Sequence, residues 1–303
     1  VRPDPARANY VIYAPGFDPD SGGAIFLHQL AHALTALGED AALWPWGVPA
    51  KRSFGGWLKQ VLRKPRVLWQ GNAALLRRNP TLTTRVARPR DLRDTTVVVY
   101  PEVTLGNPLE AHRIARWLLY KPGQKDPYAF TEGEMFFRAG EMSDLPEITG
   151  GAQDLYLWQR HPAYRNENRP DRKGACYILR KGHEKARIPQ TEDAICIDGM
   201  SHEETAEVFN ACDTFYSYDE ATFYSQYAAI CGCTSVIIPG AFRTRQDWVA
   251  SHPIGRVGVA YGLDDLDHAR ATQDQVAEVL AAQERAGLDT VRNFISRTRA
   301  PSP

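Results

Sequence analysis

The feature that most constrains this chain is a pattern that occurs twice: a short strand-like run, a polar or glycine loop, an amphipathic helix, then another strand. In the first half, "NYVIYAPGF" (9–17) is a Val/Ile/Tyr run of the kind buried in parallel sheets. The loop "DPDSGG" follows, and then "AIFLHQLAHALTALG", whose Ile25, Leu27, Leu30, Leu34 and Leu37 recur at helical spacing before Gly38. "EDAALWPWG" and "TTVVVYPE" read as further strands, and "EMFFRAGE" and "DLYLWQR" as later ones. "NPLEAHRIARWLLYKPG" (107–123) reads as a helix, with Pro108 in its first turn and Pro-Gly after its end. The polar, basic stretch "AYRNENRPDRKG" (163–174) reads as a linker. Beyond it the pattern restarts with strands "ACYILRKG" and "AICIDG", helix "SHEETAEVFNAC", strand "DTFYSYD", a helix from about Thr222, and strand "TSVIIPG". Ser201 with Glu204 three residues on is a capping box. From Leu263 the chain is helical in pattern, with a break expected near Gly287. Strands alternating with helices predict α/β architecture with doubly wound parallel sheets.

At 303 residues, two domains are the natural division. No apolar run is long enough to cross a membrane, and no apolar stretch follows the N-terminal charges as in a signal peptide. The chain does not begin with Met, which fits a piece of a longer protein. Five cysteines in apolar runs, with no C-x-x-C spacing, are expected as buried thiols of a reducing cytoplasm. Net charge is zero but segregated: 51–93 holds twelve Lys or Arg against Asp91, and 191–242 holds nine acids and no Lys or Arg. That asymmetry points to an anionic partner for one lobe. Within the basic region Trp57, Leu58, Val61, Leu62, Val67, Leu68 and Trp69 interleave with Lys and Arg. Such interleaving suits an anionic membrane surface or an anionic acceptor, or equally a basic insertion covering the first sheet. No nucleic-acid-binding module is recognisable.

Three places carry candidate chemistry. Gly22 and Gly23 open a helix at a strand's carboxyl end, where free amides and the helix dipole hold anions; a tight turn is the plainer reading. Arg180 and Lys181, with Lys185 and Arg187 beyond, follow the first strand of the second half, facing the crevice where α/β sheets take ligands or forming a solvated loop. Tyr218, Asp219 and Glu220 end another strand, and Thr222 and Ser225 begin the next helix: a neutral phosphate cradle behind carboxylates able to accept from sugar hydroxyls, or a simple cap with dipole-favoured acids. Glu102 and Asn107 follow a central strand, Glu102 being an acceptor-side ligand or base, or part of a turn. His28 reads as a packed or solvent-facing helix residue, and His161 as weaker still. No metal site is expected: "LDDLD" (263–267) reads as a capping loop, and Asp18 and Asp20 as part of the loop before Gly22.

This ordering (a Gly-Gly loop, a basic pair after the first strand of a second half, and the block "DEATFYSQYAAICGCTSVIIP") resembles the GT-B glycosyltransferases, particularly their large retaining family 4. The likeness extends more thinly to bacterial polysaccharide-building rhamnosyl-type transferases. Family 4 reads Glu, seven residues, Glu-Ala-x-Ala-x-Gly, then a Pro-Val strand; here Asp219 stands at the first acid and Tyr227 at the second, with Cys231-Gly232 in register. The resemblance implies two facing Rossmann-like domains: an acceptor domain at 1–165, a donor domain at 166–270, and a helix at 271–303 crossing back to the first. It further implies a nucleotide-sugar co-substrate (UDP-, GDP- or dTDP-linked) with no other cofactor, and metal-independent, retaining transfer of a hexosyl or deoxyhexosyl group. The acceptor would be a glycan or lipid-linked molecule of cell-surface polysaccharide assembly, met in the cytoplasm or at the inner face of the membrane. In that frame Gly22, Gly23, Arg180, Lys181, Lys185, Thr222 and Ser225 hold the diphosphate, Tyr218, Asp219 and Glu220 place the donor, and Glu102 serves the acceptor. Tyr227 departs from the ribose-holding carboxylate. The alternatives are a non-hydrolysing sugar-nucleotide 2-epimerase and a non-catalytic sugar-nucleotide-binding scaffold.

Overall fold

The structure, a computed structural model, describes residues 8–19, 21–50, 62–124, 126–157 and 160–299. Asp20, Trp158 of the run at 154–160, and residues 51–61 with Trp57, Leu58 and Val61 lie outside the described residues. The chain divides into two compact units, residues 1–158 with 285–303, and residues 159–284. The divisions thus fall earlier than the polar stretch and later than the start of the closing helix.

Unit 1 is built on seven strands: β1 (Asn9–Ala14), β2 (Asp40–Pro45), β3 (Arg85–Val86), β4 (Val97–Pro101), β5 (Arg113–Leu118), β6 (Met135–Arg138) and β7 (Gln153–Asp154). They lie in the order β3-β2-β1-β4-β5-β6-β7, every pair parallel. The central strands are buried along nearly their whole length because both faces are covered, and apart from Asn9 of β1 and Arg113 and Arg116 of β5 the residues of β1, β4 and β5 are apolar or aromatic. Tyr10, Ile12 and Ala14 point to the face packed by Leu27, Leu30 and Leu34 of helix α1 (Gly22–Ala36) and by Phe294, while Val11 and Tyr13 join Trp44, Val98 and Tyr100 on the other.

Residues 107–123 do not form the expected helix. Asn107 closes a turn, its Oδ1 accepting from Ala111 N and the Tyr100 hydroxyl, and 113–118 is the central strand β5. The run looks helical only while Arg116 is counted as a solvent-facing charge. In the fold Arg116 is fully buried, paired with the equally buried Glu134 at 2.7 Å.

Unit 2 holds β8 (Ala175–Ile178), β9 (Ile195–Cys196), helix α2 (His202–Ala211), β10 (Thr214–Ser217), helix α3 (Tyr224–Cys231), β11 (Thr234–Ile237), helix α4 (Arg245–Ser251), β12 (Val259–Tyr261) and helix α5 (Leu266–Thr272). Its sheet runs β12-β11-β10-β8-β9, again all parallel. The capping box at α2 is present: Ser201 Oγ accepts from Glu204 N at 3.2 Å while the Glu204 carboxylate accepts from Ser201 N at 2.9 Å. Both units are therefore doubly wound α/β layers.

The polar stretch 163–174 is packed structure rather than a linker. Tyr164 is buried, and the Arg172 guanidinium donates to the carbonyls of Phe209, Cys212 and Cys231, at the C-termini of α2 and α3. Cations suit those carbonyl-rich ends. Gly232 follows α3 at φ +103°, and a Cβ there would also meet Arg172 Nη2 at 2.7 Å, so both conformation and space ask for glycine. The five cysteines are unpaired, four of them buried.

The closing helix α6 (Val276–Arg299) is unbroken at Gly287. Its last turns rest on unit 1, where Phe294 packs at 4.7 Å from Phe137 and the Thr298 hydroxyl meets the Tyr10 hydroxyl at 2.8 Å. Packing of that kind outweighs the roughly 1 kcal/mol by which an interior glycine weakens a helix. No helix among the described residues is long and apolar enough to cross a membrane.

Candidate functional site

In doubly wound sheets ligands bind outside the carboxyl ends of the strands, where strand order reverses. In unit 1 that point lies between β1 and β4. The loop after β1 leads through Ser21, whose hydroxyl caps α1 by accepting from Ala24 N, to Gly22 and Gly23. After β4 comes Glu102. All three of Gly22, Gly23 and Glu102 line one cavity of about 410 Å³, with Trp46, Leu119, Tyr120 and Lys121 among its other walls. The glycines read from the sequence as diphosphate ligands and the glutamate read as acceptor-side thus share a single space. Glu102 is buried, its carboxylate accepting from Leu119 N at 2.9 Å. Burial raises its pKa above the usual carboxylate range, against the lowering effect of backbone amides at Leu119 and Tyr120.

The loops around this cavity are held by buried polar groups. His28 is fully buried. Its Nδ1 accepts from Asn79 N at 3.3 Å, which assigns the proton to Nε2, donating to Pro15 O at 3.0 Å. Burial lowers its pKa, which favours the neutral ring, and the two bonds tie the β1 loop to residue 79. Arg116 donates to the carbonyls of Thr104 at 2.6 Å and Gly106 at 2.9 Å, fixing the loop that begins with Glu102. Asn107, expected to point toward ligand, is used up in its turn.

In unit 2 the order reverses between β8 and β10. Arg180 follows β8; Asp219 and Thr222 follow β10. The structure brings them together: Arg180 Nε lies 3.9 Å from Asp219 Oδ2, and its Nη1 is 3.5 Å from the Thr222 hydroxyl. The guanidinium also sits 5.7 Å from the centre of the Tyr224 ring, at the first turn of α3. Beside it Ser225, 1% exposed, has a buried hydroxyl without a hydrogen-bond partner. Arg180 itself adopts φ +42°, a conformation that costs a non-glycine residue about 1–3 kcal/mol. It is imposed from both sides: Asp198 accepts from Leu179 N at 2.8 Å and Arg180 N at 3.2 Å, and the His183 ring donates to Arg180 O at 2.9 Å. Asp198 was not singled out in the sequence; its place at the end of the short strand "AIC", directly before Gly199, is the signal that could have found it. Lys181 is exposed on the same turn.

The remaining candidates each bond to, or stack on, other groups of unit 2. Tyr218 is fully buried, and its hydroxyl accepts from Ile188 N at 3.0 Å and meets the Thr191 hydroxyl at 2.8 Å. Glu220 accepts from Gly240 N at 3.0 Å, Ala241 N at 3.0 Å and the Tyr261 hydroxyl at 2.7 Å, and pairs with Lys185 Nζ at 3.2 Å. Burial alone would raise its pKa, but these donors and the ammonium together hold it below the usual range. Lys185 in turn donates to Ile238 O at 2.7 Å. Arg187 lies 3.9 Å over the Tyr177 ring. Tyr227 is buried and stacked on Tyr164 at 4.0 Å; the Tyr164 hydroxyl meets His202 Nδ1 at 2.6 Å. His161 stacks on His202 at 4.5 Å in the same aromatic cluster.

Asp265 of "LDDLD" makes no side-chain cap to the helix it precedes; it accepts from Tyr261 N and from Arg245, both at 2.9 Å. Among the described residues no group of three or more His, Cys, Asp or Glu is placed to hold a metal ion.

No protein-family model matches the chain, and no curated protein matches it. Among solved structures it is similar to a glycotransferase of kitacinnamycin, at 12% identity over 96% of this chain and 99% of that one, with a TM-score of 0.40. It is similar to the glycosyltransferase SnogD from Streptomyces nogalater at 11% identity over 96% and 100%, with a TM-score of 0.41. The MurG protein of Acinetobacter baumannii matches at 10% identity over 94% and 99%, with a TM-score of 0.39.

Proposed function

We propose that the chain is a GT-B-type glycosyltransferase whose unit 2 takes a nucleotide-sugar donor at the β8/β10 switch point. One observation carries the reading. A strained, doubly pinned Arg180 meets Thr222 and Asp219 just ahead of α3, whose first turn also carries the buried, unpartnered hydroxyl of Ser225. A guanidinium, hydroxyls and helix amides at one place match a diphosphate. During transfer the bond from the anomeric carbon to the phosphate oxygen breaks and its electron pair leaves with the nucleoside diphosphate. Arg180, Thr222 and Ser225 would stabilise that charge, Lys181 adding to the field, while Asp219 orients Arg180 and accepts from a sugar hydroxyl. The acceptor hydroxyl forms the new bond to the anomeric carbon and gives up its proton, to an oxygen of the departing diphosphate in the retaining course or to a carboxylate in an inverting one.

The finer expectations rest on the family resemblance: hexosyl or deoxyhexosyl transfer without a metal, from a UDP-, GDP- or dTDP-sugar, with retention of configuration. For the acceptor the resemblance by itself offers a glycan or a lipid-linked molecule, which the unit 1 cavity revises. Inversion is a second stereochemical reading. It is favoured by the raised pKa of Glu102, since a buried carboxylate of that kind can take the acceptor's proton.

Incubating the protein with a panel of nucleotide sugars, with and without acceptors, tests this. Acceptor-dependent nucleotide release is expected, falling about 100- to 1,000-fold in Arg180→Ala, and NMR of the product anomer separates retention from inversion. Epimerised sugar still joined to its nucleotide would replace this reading with a 2-epimerase, and binding without turnover would replace it with a scaffold.

The exposed Leu62, Leu68 and Trp69, at 75%, 50% and 79%, stand among the exposed Arg63, Lys64 and Arg66. They support an anionic membrane face as the place of work. Co-sedimentation with anionic but not neutral vesicles is expected, weakening with salt and on neutralising the three cations. Equal binding to both vesicle types would remove this part of the proposal.

A further inference from the structure

We infer that the unit 1 cavity takes a small, uncharged, ring-shaped molecule bearing a hydroxyl, and that this class, rather than a glycan, is what the chain glycosylates. The glycosylation clause rests on the proposed transferase reading; the binding clause does not. The cavity's volume of about 410 Å³ lies toward the lower end of small-molecule sites, which run about 300–1,000 Å³. Its walls include Phe26, Leu27, Trp46, Leu119, Tyr120 and Pro122. Trp46 and Tyr120 stay 46% and 42% exposed, so two large aromatic surfaces are left partly open at a concave site. Flat apolar faces of this kind pack against ring systems.

The polar groups argue in the same direction. A sugar carries hydroxyls around its rim, and each one buried without a partner is costly. Apolar side chains lining this space cannot supply so many partners. Among the described residues the charged lining groups are Glu102, Lys121 and Asp126, one cation against two carboxyls, a balance that does not favour a phosphate or carboxylate ligand. Glu102 is different in kind. It is 6% exposed and already anchored by the Leu119 amide, so one hydroxyl directed at it suits the site. In the inverting course that hydroxyl's oxygen bonds the anomeric carbon, its proton passes to the Glu102 carboxylate, and the nucleoside diphosphate departs with the electron pair.

Three probes test this on the full chain by calorimetry: 1-naphthol, 1-naphthyl phosphate and methyl β-glucoside. Naphthol is expected to bind, the phosphate more weakly, and the glucoside least. Gly22→Leu is designed to fill the space: Gly22 lines the cavity, and a Cβ there meets nothing within 4 Å. It should weaken naphthol by about tenfold or more. Trp46→Ala, which removes a wall instead of adding bulk, should also weaken it and stands in if Gly22→Leu does not fold. Preferred binding of the phosphate or the glucoside, naphthol affinity unchanged in both variants, or no naphthol binding at millimolar concentration would each overturn the assignment. Failure of the transferase reading looks different: naphthol binds and responds to both variants, yet no nucleotide sugar releases its nucleotide in its presence.

Discussion

Arg116→Ala is expected to lower the unfolding free energy of the protein by about 3–5 kcal/mol, the range for breaking a buried ion pair from one side. Neither Arg116 nor Glu134 has side-chain exposure to solvent. The guanidinium donates through Nε and Nη2 to the two Glu134 oxygens, and through Nη1 and Nη2 to the carbonyls of Pro101, Thr104 and Gly106. Glu134 is further satisfied by the amide and hydroxyl of Thr131. Removing the cation strands a buried carboxylate and several carbonyls at once, whereas removing both partners together strands fewer. Urea denaturation of Arg116→Ala and of the pair Arg116→Met with Glu134→Leu checks this: the double variant should recover part of the loss. A single variant within about 1 kcal/mol of the parent, which is what an exposed pair contributes, would contradict the buried-pair account. Because these carbonyls belong to the loop that starts at Glu102, naphthol binding should weaken along with stability.

Gly182→Ala should be nearly as damaging, at about 3 kcal/mol, the upper part of the range for overpacking. A Cβ at 182 would lie 2.0 Å from the Tyr218 carbonyl oxygen and 2.3 Å from its carbon, so the obstacle is backbone and cannot rotate away. That contact sets the turn after β8 against the end of β10, where Arg180 and Asp219 face each other. Nucleoside diphosphate affinity is therefore expected to fall more than global stability alone predicts, read by calorimetry well below the melting temperature. Gly140→Ala is the control. Its backbone is extended and a Cβ there meets nothing within 4 Å, so a change within about 0.5 kcal/mol is expected. A Gly182 variant as stable as this control would mean that the two loops are not packed as described.

Legibility followed the kind of signal a residue carries. The strands "NYVIYA" and "TFYS", helix α1 and the capping box at Ser201 could be read directly, because each depends on neighbours a few positions away. The reading at 107–123 failed at Arg116, whose charge looks exposed until Glu134, 18 positions on, is brought against it. The break expected at Gly287 failed for a related reason: that glycine's local cost is outweighed by contacts of Phe294 with Phe137 and Tyr10, and of Thr298 with Tyr10, all remote in the chain. Among site candidates, Arg180, Asp219 and Thr222 do converge. Tyr218 and Glu220, which follow the same strand as Asp219, and Lys185, farther along the turn after β8, are bonded within the turns. Strand-end position alone does not tell these groups apart, since successive residues leave a strand in opposite directions.

By itself the sequence determined the α/β layering, the doubling of the pattern, and the strand ends at which chemistry can be placed. All of these follow from periodicities of two and 3.6 residues and from turn chemistry that acts locally. Only the tertiary structure decided which charges are buried pairs, which carboxylate faces a cavity, and that the walls beside Glu102 are largely apolar. Those outcomes depend on desolvation, and how dry a group becomes is set by residues remote in the chain that fold against it.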